Sequence, residues 1–346
     1  MAGLARLRLV KQILLLVISH ALLCGQSNIT LPRVGVLDYY GLHKITPTRI
    51  QRVLATKEGD PFPASKGDLE ERLEQIPGVV RSHLEAVCCD GGKAVLFVGI
   101  EERGAAHFNF RTAPQGDVRL PDDIVEAYKE FLAALEAAVR NGNAAEDLRS
   151  GHSLMADPAC RLLQVRFEVI AERQLPVLKD VVRNSSDAEH RAIAAYIIGY
   201  APKKRDVVAD LQQAIQDPDD GVRYNAIRAM TAISVLAAQN PDLEIQISPT
   251  WFVEMLNSVL WTDRSKAVMA LLTLTDNRQE RILALIRERA LPSLAEMARW
   301  KSLTHAIGPY TLLGRVAGLS EQTIQDTWTN GGREAVIAKA LKTARK

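Results

Sequence analysis

The chain is poor in the residues that most enzymes use for chemistry. Its 7 histidines and 4 cysteines in 346 residues form no ligand pattern. His43, His83, His107, His152, His190 and His305 are scattered. None of them sit at the i, i+4 spacing that puts two imidazoles on one helix face, and no Cys-x-x-Cys accompanies them, so the sequence offers no zinc site. A Gly-x-Ser-x-Gly elbow, a Ser-x-x-Lys pair and a glycine-rich phosphate loop are also missing. Asp217-x-Asp219-x-Gly221 has the opening of a calcium loop, but its twelfth position is Arg228 where a bidentate acid is needed. An excess of one charge is lacking too: 43 basic residues face 41 acidic ones, which argues against binding nucleic acid through phosphate neutralisation. These absences lead to the expectation of a non-enzyme with no catalytic residue, metal or cofactor.

The apolar run from Ile13 to Leu23, interrupted by Ser19 and His20, is too short to span a bilayer, which takes about 20 residues. It follows Arg6, Arg8 and Lys11 and ends near Cys24-Gly25-Gln26-Ser27, the layout of a secretory signal peptide over residues 1–27. Losing those three basic residues takes the formal charge from +2 to −1. The mature chain is then expected to be exported, periplasmic or outer-membrane-associated, with no integral span. Cys24 is also a candidate for lipidation, although Ala21-Leu22-Leu23 departs from the small residue that precedes such a cysteine. Of the other cysteines, Cys88 and Cys89 can bridge each other, bridge to Cys160 or stay reduced.

Residues 33–103 alternate between strand and helix patterns. Leu37 and Tyr39 alternate into Gly41, and Thr46-Pro47 opens a helix through Ile50, Val53 and Leu54. A second helix carries Leu69, Leu73 and Ile76 to Pro77-Gly78. Val80, Leu84 and Ala86 then alternate, Asp90-Gly91-Gly92 turns, and Leu96, Val98 and Ile100 alternate again. The run Leu37 to Thr46 followed by EGDPF, LEERLEQIPGVV and AVLFVGIEER resembles a POTRA domain, a small polypeptide-binding module of bacterial envelope proteins. The resemblance implies a strand–helix–helix–strand–strand fold and strand addition at an exposed sheet edge. No run of alternating strands follows to make the barrel that such modules often precede.

Residues 104–120 have no period and read as a linker, and residues 121–157 as a helical connector opened by Pro121-Asp122-Asp123. Beyond them the chain repeats itself. Leu178 to Ile198 lies over Leu211 to Met230 with one residue of slack, so that helix, acidic turn, arginine and alanine-rich helix recur in order. Two amphipathic helices of roughly thirty residues cannot bury their apolar faces alone and must stack on neighbours. Residues 158–346 resemble HEAT repeats of the phycobilisome-lyase type. That resemblance implies a ladder between repeats from an acidic turn residue and an arginine six positions later, here Asp217 and Arg223; Ser185 replaces the acid before Arg191. From Phe252 onward the motif fades.

The expected fold class is therefore an α+β N-terminal module plus an all-α helical-repeat solenoid, acting as an envelope scaffold for protein or peptide partners. Glu189, Arg191, Asn225 and Arg228 on the second helices are its candidate binding residues. The alternative is a tetrapyrrole-lyase-like or other enzyme on the same repeats, which rests on the family resemblance and on no residue pattern; His152, Asp157 and Cys160, a compact polar cluster, read as the loop that starts a helix. Trp251, Trp261, Trp300 and Trp328 fall in the last hundred residues, as core fillers or as an aromatic binding face.

Overall fold

The computed structural model describes residues 33–90 and 92–343. The expected leader with Cys24 lies outside them, as do Gly91 and the side chains of Cys89 and Asp90. The chain folds as an N-terminal α+β module followed by stacked helices. In the module, β1 (Val34–Tyr40) leads to α1 (Pro47–Leu54) and α2 (Lys66–Glu74), then to the hairpin of β2 (Val79–Asp90) and β3 (Lys93–Glu102). Pro47 opens α1 where its missing N–H costs nothing, and Ser65 caps α2 by accepting from the Asp68 N–H. The sheet order is β1-β3-β2, with β1 parallel and β2 antiparallel to β3. Ile50, Leu54, Leu69 and Leu73 of the helices close over Leu37, Leu84, Leu96, Val98 and Ile100 on one sheet face.

Val80 departs from its expected inward place. A register shift between Val79 and Arg81 buries Val79 and turns Val80 outward, because an extra residue inverts the alternation.

The opposite face of the sheet is also covered. Tyr40, Val95 and Phe97 point away from α1 and α2 and join the core of the helical region. Phe97 stacks on Trp261 at 5.2 Å between centroids and meets Trp300 at 4.8 Å and His305 at 5.5 Å. The Tyr40 hydroxyl donates to the Val259 carbonyl at 2.8 Å. Gly99 permits this approach: a Cβ there would stand 2.3 Å from the Val259 oxygen. Trp261 and Trp300 thus fill the joint between module and array.

The array begins with α3 (Asp122–Arg140), a short hairpin of β4 (Glu146–Asp147) and β5 (Leu154–Met155), and α4 (Pro158–Arg173). Helices then pair as α5 (Leu175–Asn184) with α6 (Ala188–Ile197), and α7 (Val208–Ala214) with α8 (Asp220–Gln239). The next pair is α9 (Thr250–Met255) with α10 (Trp261–Leu274). After α11 (Glu280–Arg289) come α12 (Leu291–Met297) with α13 (Leu303–Val316), and α14 (Glu321–Thr329) with α15 (Arg333–Thr343). The second helices α6, α8, α10, α13 and α15 contact one another in that order, so each pair shares its core with the next. Cys160 is a buried free thiol, which rules out its bridge to the hairpin cysteines. Among the described residues no helix is long and apolar enough to cross a membrane.

Phe97 is fully buried among four aromatic neighbours at the joint. Phe97→Ala should cost about 3–5 kcal/mol in chemical denaturation and alter the native tryptophan fluorescence. A loss below about 1 kcal/mol would show that the two parts do not depend on this contact.

Candidate functional site

The most constrained side chains are three arginines, each at the fourth position of a second helix. Arg191 Nη1 donates to the Ser185 carbonyl at 2.9 Å, Arg223 Nη1 to the Asp217 carbonyl at 2.8 Å, and Arg264 Nε to the Ser258 carbonyl at 2.5 Å. The acceptor lies six residues back each time, so each guanidinium ties the start of a second helix to the turn before it. Each also reaches the next pair: Arg191 to Asp217 at 2.8 Å, Arg223 to Asp263 at 3.0 Å, and Arg264 to Glu296 at 3.4 Å. Asp217 and Arg223 are completely buried, and Arg191 nearly so.

Burial alone would push the Asp217 carboxyl up. The hydrogen bonds from Arg191, Arg111 and the Asp219 N–H outweigh it and hold Asp217 below its ordinary value. Its contribution to stability is therefore present above the unfolded carboxyl range and lost as pH falls through the lower folded value.

The expected ladder thus continues one pair farther than its acidic motif. Ser258 takes the turn position, and its hydroxyl donates at 2.8 Å to Asp263, which receives Arg223. A serine at that position carries no charge for sequence reading to find.

The chain preceding the array completes this ladder. Residues 104–120 run along the turns as a strap. Arg111 pairs with Asp217 at 2.6 Å and donates to the Val182 carbonyl, while Phe110 lies 4.6 Å beneath the Arg223 guanidinium. Gly116 exchanges hydrogen bonds with Asn184 and Ser186; a Cβ at Gly116 would stand 2.6 Å from the Asn184 oxygen. In the α12/α13 pair the fourth helical position is Ala306, and there the module substitutes. Asp38 accepts the Lys301 and Ser302 N–H groups at 3.0 and 3.1 Å, while Glu296 accepts the Gly41 N–H at 2.8 Å.

The four candidate binding residues fall in different settings. Arg191 is a ladder member. Asn225 is buried, donating to the Ala192 carbonyl at 2.8 Å and reaching the Tyr128 hydroxyl of α3 at 3.4 Å. Arg228 pairs with Glu146 of the β4–β5 hairpin and is partly covered. Glu189 alone is exposed. The first two pairs are roofed by α3, whose Tyr128 and Phe131 pack on Phe167 and Tyr196, and by the hairpin.

His152 is not assembled with Asp157 and Cys160. Asp157 caps α4 by accepting from the Ala159 and Cys160 N–H groups, whereas His152 joins Glu168 and Lys204, each at 3.0 Å. Lys204 also donates to the Gly199 carbonyl at 2.7 Å. Because Nδ1 accepts from Lys204, the neutral imidazole carries its proton on Nε2, facing Glu168. Burial and then the Lys204 charge lower the His152 pKa, and burial brings Lys204 down to about 8. Among the described residues no group of three or more His, Cys, Asp or Glu is placed to hold a metal ion.

A cleft of about 350 Å³ lies between the module and α12, lined by Asp38, Tyr39, His43, Glu296, Arg299 and Trp300 among others. Its carboxylates are engaged by the backbone N–H groups named above, so it presents no unpartnered acid. The unroofed half of the array is different. Met269 on α10 and Leu303 and Ile307 on α13 are 58%, 54% and 44% exposed. Gly308 brings the two helices together there: a Cβ on it would meet Val268 at 2.9 Å. Leu303 and Ile307 are one turn apart on the same face of α13, and exposed apolar side chains of this kind mark association surfaces.

A family model for HEAT repeats matches residues 175–271, from the start of α5 into α10, the stretch that holds all three ladder arginines. No curated protein matches the chain. The helical array is thus a HEAT-like scaffold in this segment, an architecture suited to binding proteins. A further repeat signal is legible in retrospect: Glu172-Arg173-Gln174-Leu175-Pro176 and Glu288-Arg289-Ala290-Leu291-Pro292 both break a first helix at Leu-Pro and open α5 and α12.

Removing one partner of a buried ion pair strands the other, at about 3–5 kcal/mol. Arg223→Ala should lose that much in urea denaturation, while Arg149→Ala, three-quarters exposed, should change stability by less than about 0.5 kcal/mol. Equal losses would remove the ladder as the source.

The Lys204 cluster makes a separate prediction. Between pH 8 and 10.5 the unfolded chain keeps a proton that folded Lys204 has shed, so this group's contribution to stability rises with pH across that window, by up to about 3 kcal/mol. On the acid side, the lowered His152 removes stability as pH falls below its unfolded value of 6.5. Stability measured from pH 5 to 10.5 should show a flatter alkaline limb for Lys204→Met than for the wild type; parallel curves would refute the assignment.

Proposed function

We propose that this protein is an exported scaffold of the cell envelope that binds other polypeptides stoichiometrically along the open half of its helical array. The observation that carries this reading is the uneven covering of the second helices. The chain roofs α6 and α8 with its own α3 and hairpin, yet leaves Met269, Leu303 and Ile307 open on α10 and α13. Exposed apolar side chains gathered on one side mark association surfaces. Export rests on the leader-like N-terminus, and the envelope on the POTRA-like order of the module, whose β1-β3-β2 sheet is compatible with it. The module contributes a second route, strand addition along the β2 edge, where main-chain hydrogen bonds supply affinity with little demand on sequence.

A photo-crosslinking amino acid at position 269 or 307, used in intact cells, should trap polypeptide partners that position 149 does not. Met269→Asp with Ile307→Asp should abolish those adducts at unchanged stability, since both side chains face solvent. Adducts no more abundant than at position 149, or a chain retained in the cytoplasm with its leader uncleaved, would overturn the reading.

A further inference from the structure

Edge strands expose unpaired N–H and C=O groups, and a sheet that must stay unpaired has to cover them. The β2 edge is covered by the module's own helix α2. The Ser82 N–H donates to Glu74 Oε1 at 2.9 Å and the Leu84 N–H to Glu70 Oε1 at 2.7 Å, and the Ser82 hydroxyl donates to the Glu70 carbonyl at 2.8 Å. These amides are the outward-facing ones, because Ser82 and Leu84 alternate with the residues bonded to β3. The two glutamates are one helical turn apart on α2, and Ser82 and Leu84 are two residues apart on β2, so a helix crossing beneath the strand presents one carboxylate to each outward amide. Lys66 at 3.6 Å and His83 at 3.3 Å hold the Glu70 carboxylate in place.

We propose that Glu70 and Glu74 act as strand mimics. Their carboxylate oxygens occupy the positions that the carbonyls of an added strand would take, so strand addition at this edge is a competition between an incoming extended segment and the chain's own α2. The competition is uneven along the strand. It covers Ser82 and Leu84, and Ala86, next in the alternation, is exposed. An extended segment therefore pairs first at the hairpin end and advances only by displacing Glu70 and then Glu74. Charge-assisted acceptors bind amides more strongly than a neutral carbonyl, which sets the default state to closed. This inference deepens the strand-addition route of the proposed function and rests on it for biological meaning, but not for its test.

The test uses the full chain and a synthetic peptide, RSHLEAV, copying Arg81 to Val87. Hydrogen exchange at Ser82 and Leu84 should accelerate at least tenfold in the Glu70→Ala, Glu74→Ala double variant. It should stay near wild type in Glu70→Gln, Glu74→Gln, which keeps an acceptor oxygen. By fluorescence anisotropy the peptide should bind the alanine variant at least tenfold more tightly than the wild type. Unchanged exchange would show that the carboxylates do not hold these amides, and faster exchange without tighter binding would show that they do not compete with a strand; either result overturns the proposal. If the double variant does not fold, Glu74→Ala alone should give the same changes at Ser82. Failure of the crosslinking experiment with success here would remove the envelope partner and leave the edge competition standing.

Discussion

A guanidinium taken out of water must have its donors satisfied where it lies, and this protein takes out three in succession. Arg191, Arg223 and Arg264 each bond a carbonyl six residues back and an acid on the next helix pair. The first bond fixes how a second helix leaves its turn, and the other fixes how far the next pair sits. Apolar packing of Ala226, Met230, Ala267 and Leu271 fills the space but tolerates small shifts, whereas a buried ion pair does not. The ladder is therefore better understood as the source of spacing and register in the array than as a net source of stability.

A ladder of this kind has ends, and the ends explain the placement of the N-terminal third. Asp217 accepts from Arg191 and still has capacity for Arg111 of the strap. Arg223 leaves its Nη2 without an acceptor, and the Phe110 ring lies against that guanidinium. Where the arginine gives way to Ala306, Asp38 binds the turn amides of Lys301 and Ser302, and Glu296 divides itself between Arg264 and the β1 terminus. Module, strap and array are consequently parts of one hydrogen-bonded edge rather than beads on a flexible thread.

The elements were legible where local pattern and burial agree. Thr46-Pro47, the alternation of Leu96, Val98 and Ile100, and the Asp217 to Arg223 spacing each state their structure within a few residues. Legibility failed where a residue's partner is distant in the chain. Phe97 has no sequence mark showing that it buries against Trp261 and Trp300, and the strap looks featureless because its order comes from carbonyls of turns it does not neighbour in sequence. The candidate residues Arg191 and Asn225 sit on the helices expected of them. Their burial depends on Asp217 and on α3, which repeat periodicity alone does not locate. Glu70 and Glu74 likewise carry no sequence mark of the β2 amides that they bind.

These placements narrow what the molecule can bind and where. The sheet has two faces and two edges. One face is filled by α1 and α2, and the other by Trp261, Trp300 and His305. The β1 edge is tied by the Asp60 carbonyl to Val34 and by Glu58 to the Leu37 amide, and Lys301 holds Glu58 at 2.7 Å. On the β2 edge, Ser82 and Leu84 are likewise held by carboxylates. A protein that spends Glu58, Glu70 and Glu74 on sheet amides and Asp38 and Glu296 on turn amides is organised to keep its backbone paired internally. Among the described residues, Met269 on α10 and Ile307 on α13 stay exposed. Under the proposed function, recognition falls mainly to side-chain packing on the helical array, with main-chain pairing held in reserve at the hairpin end of β2.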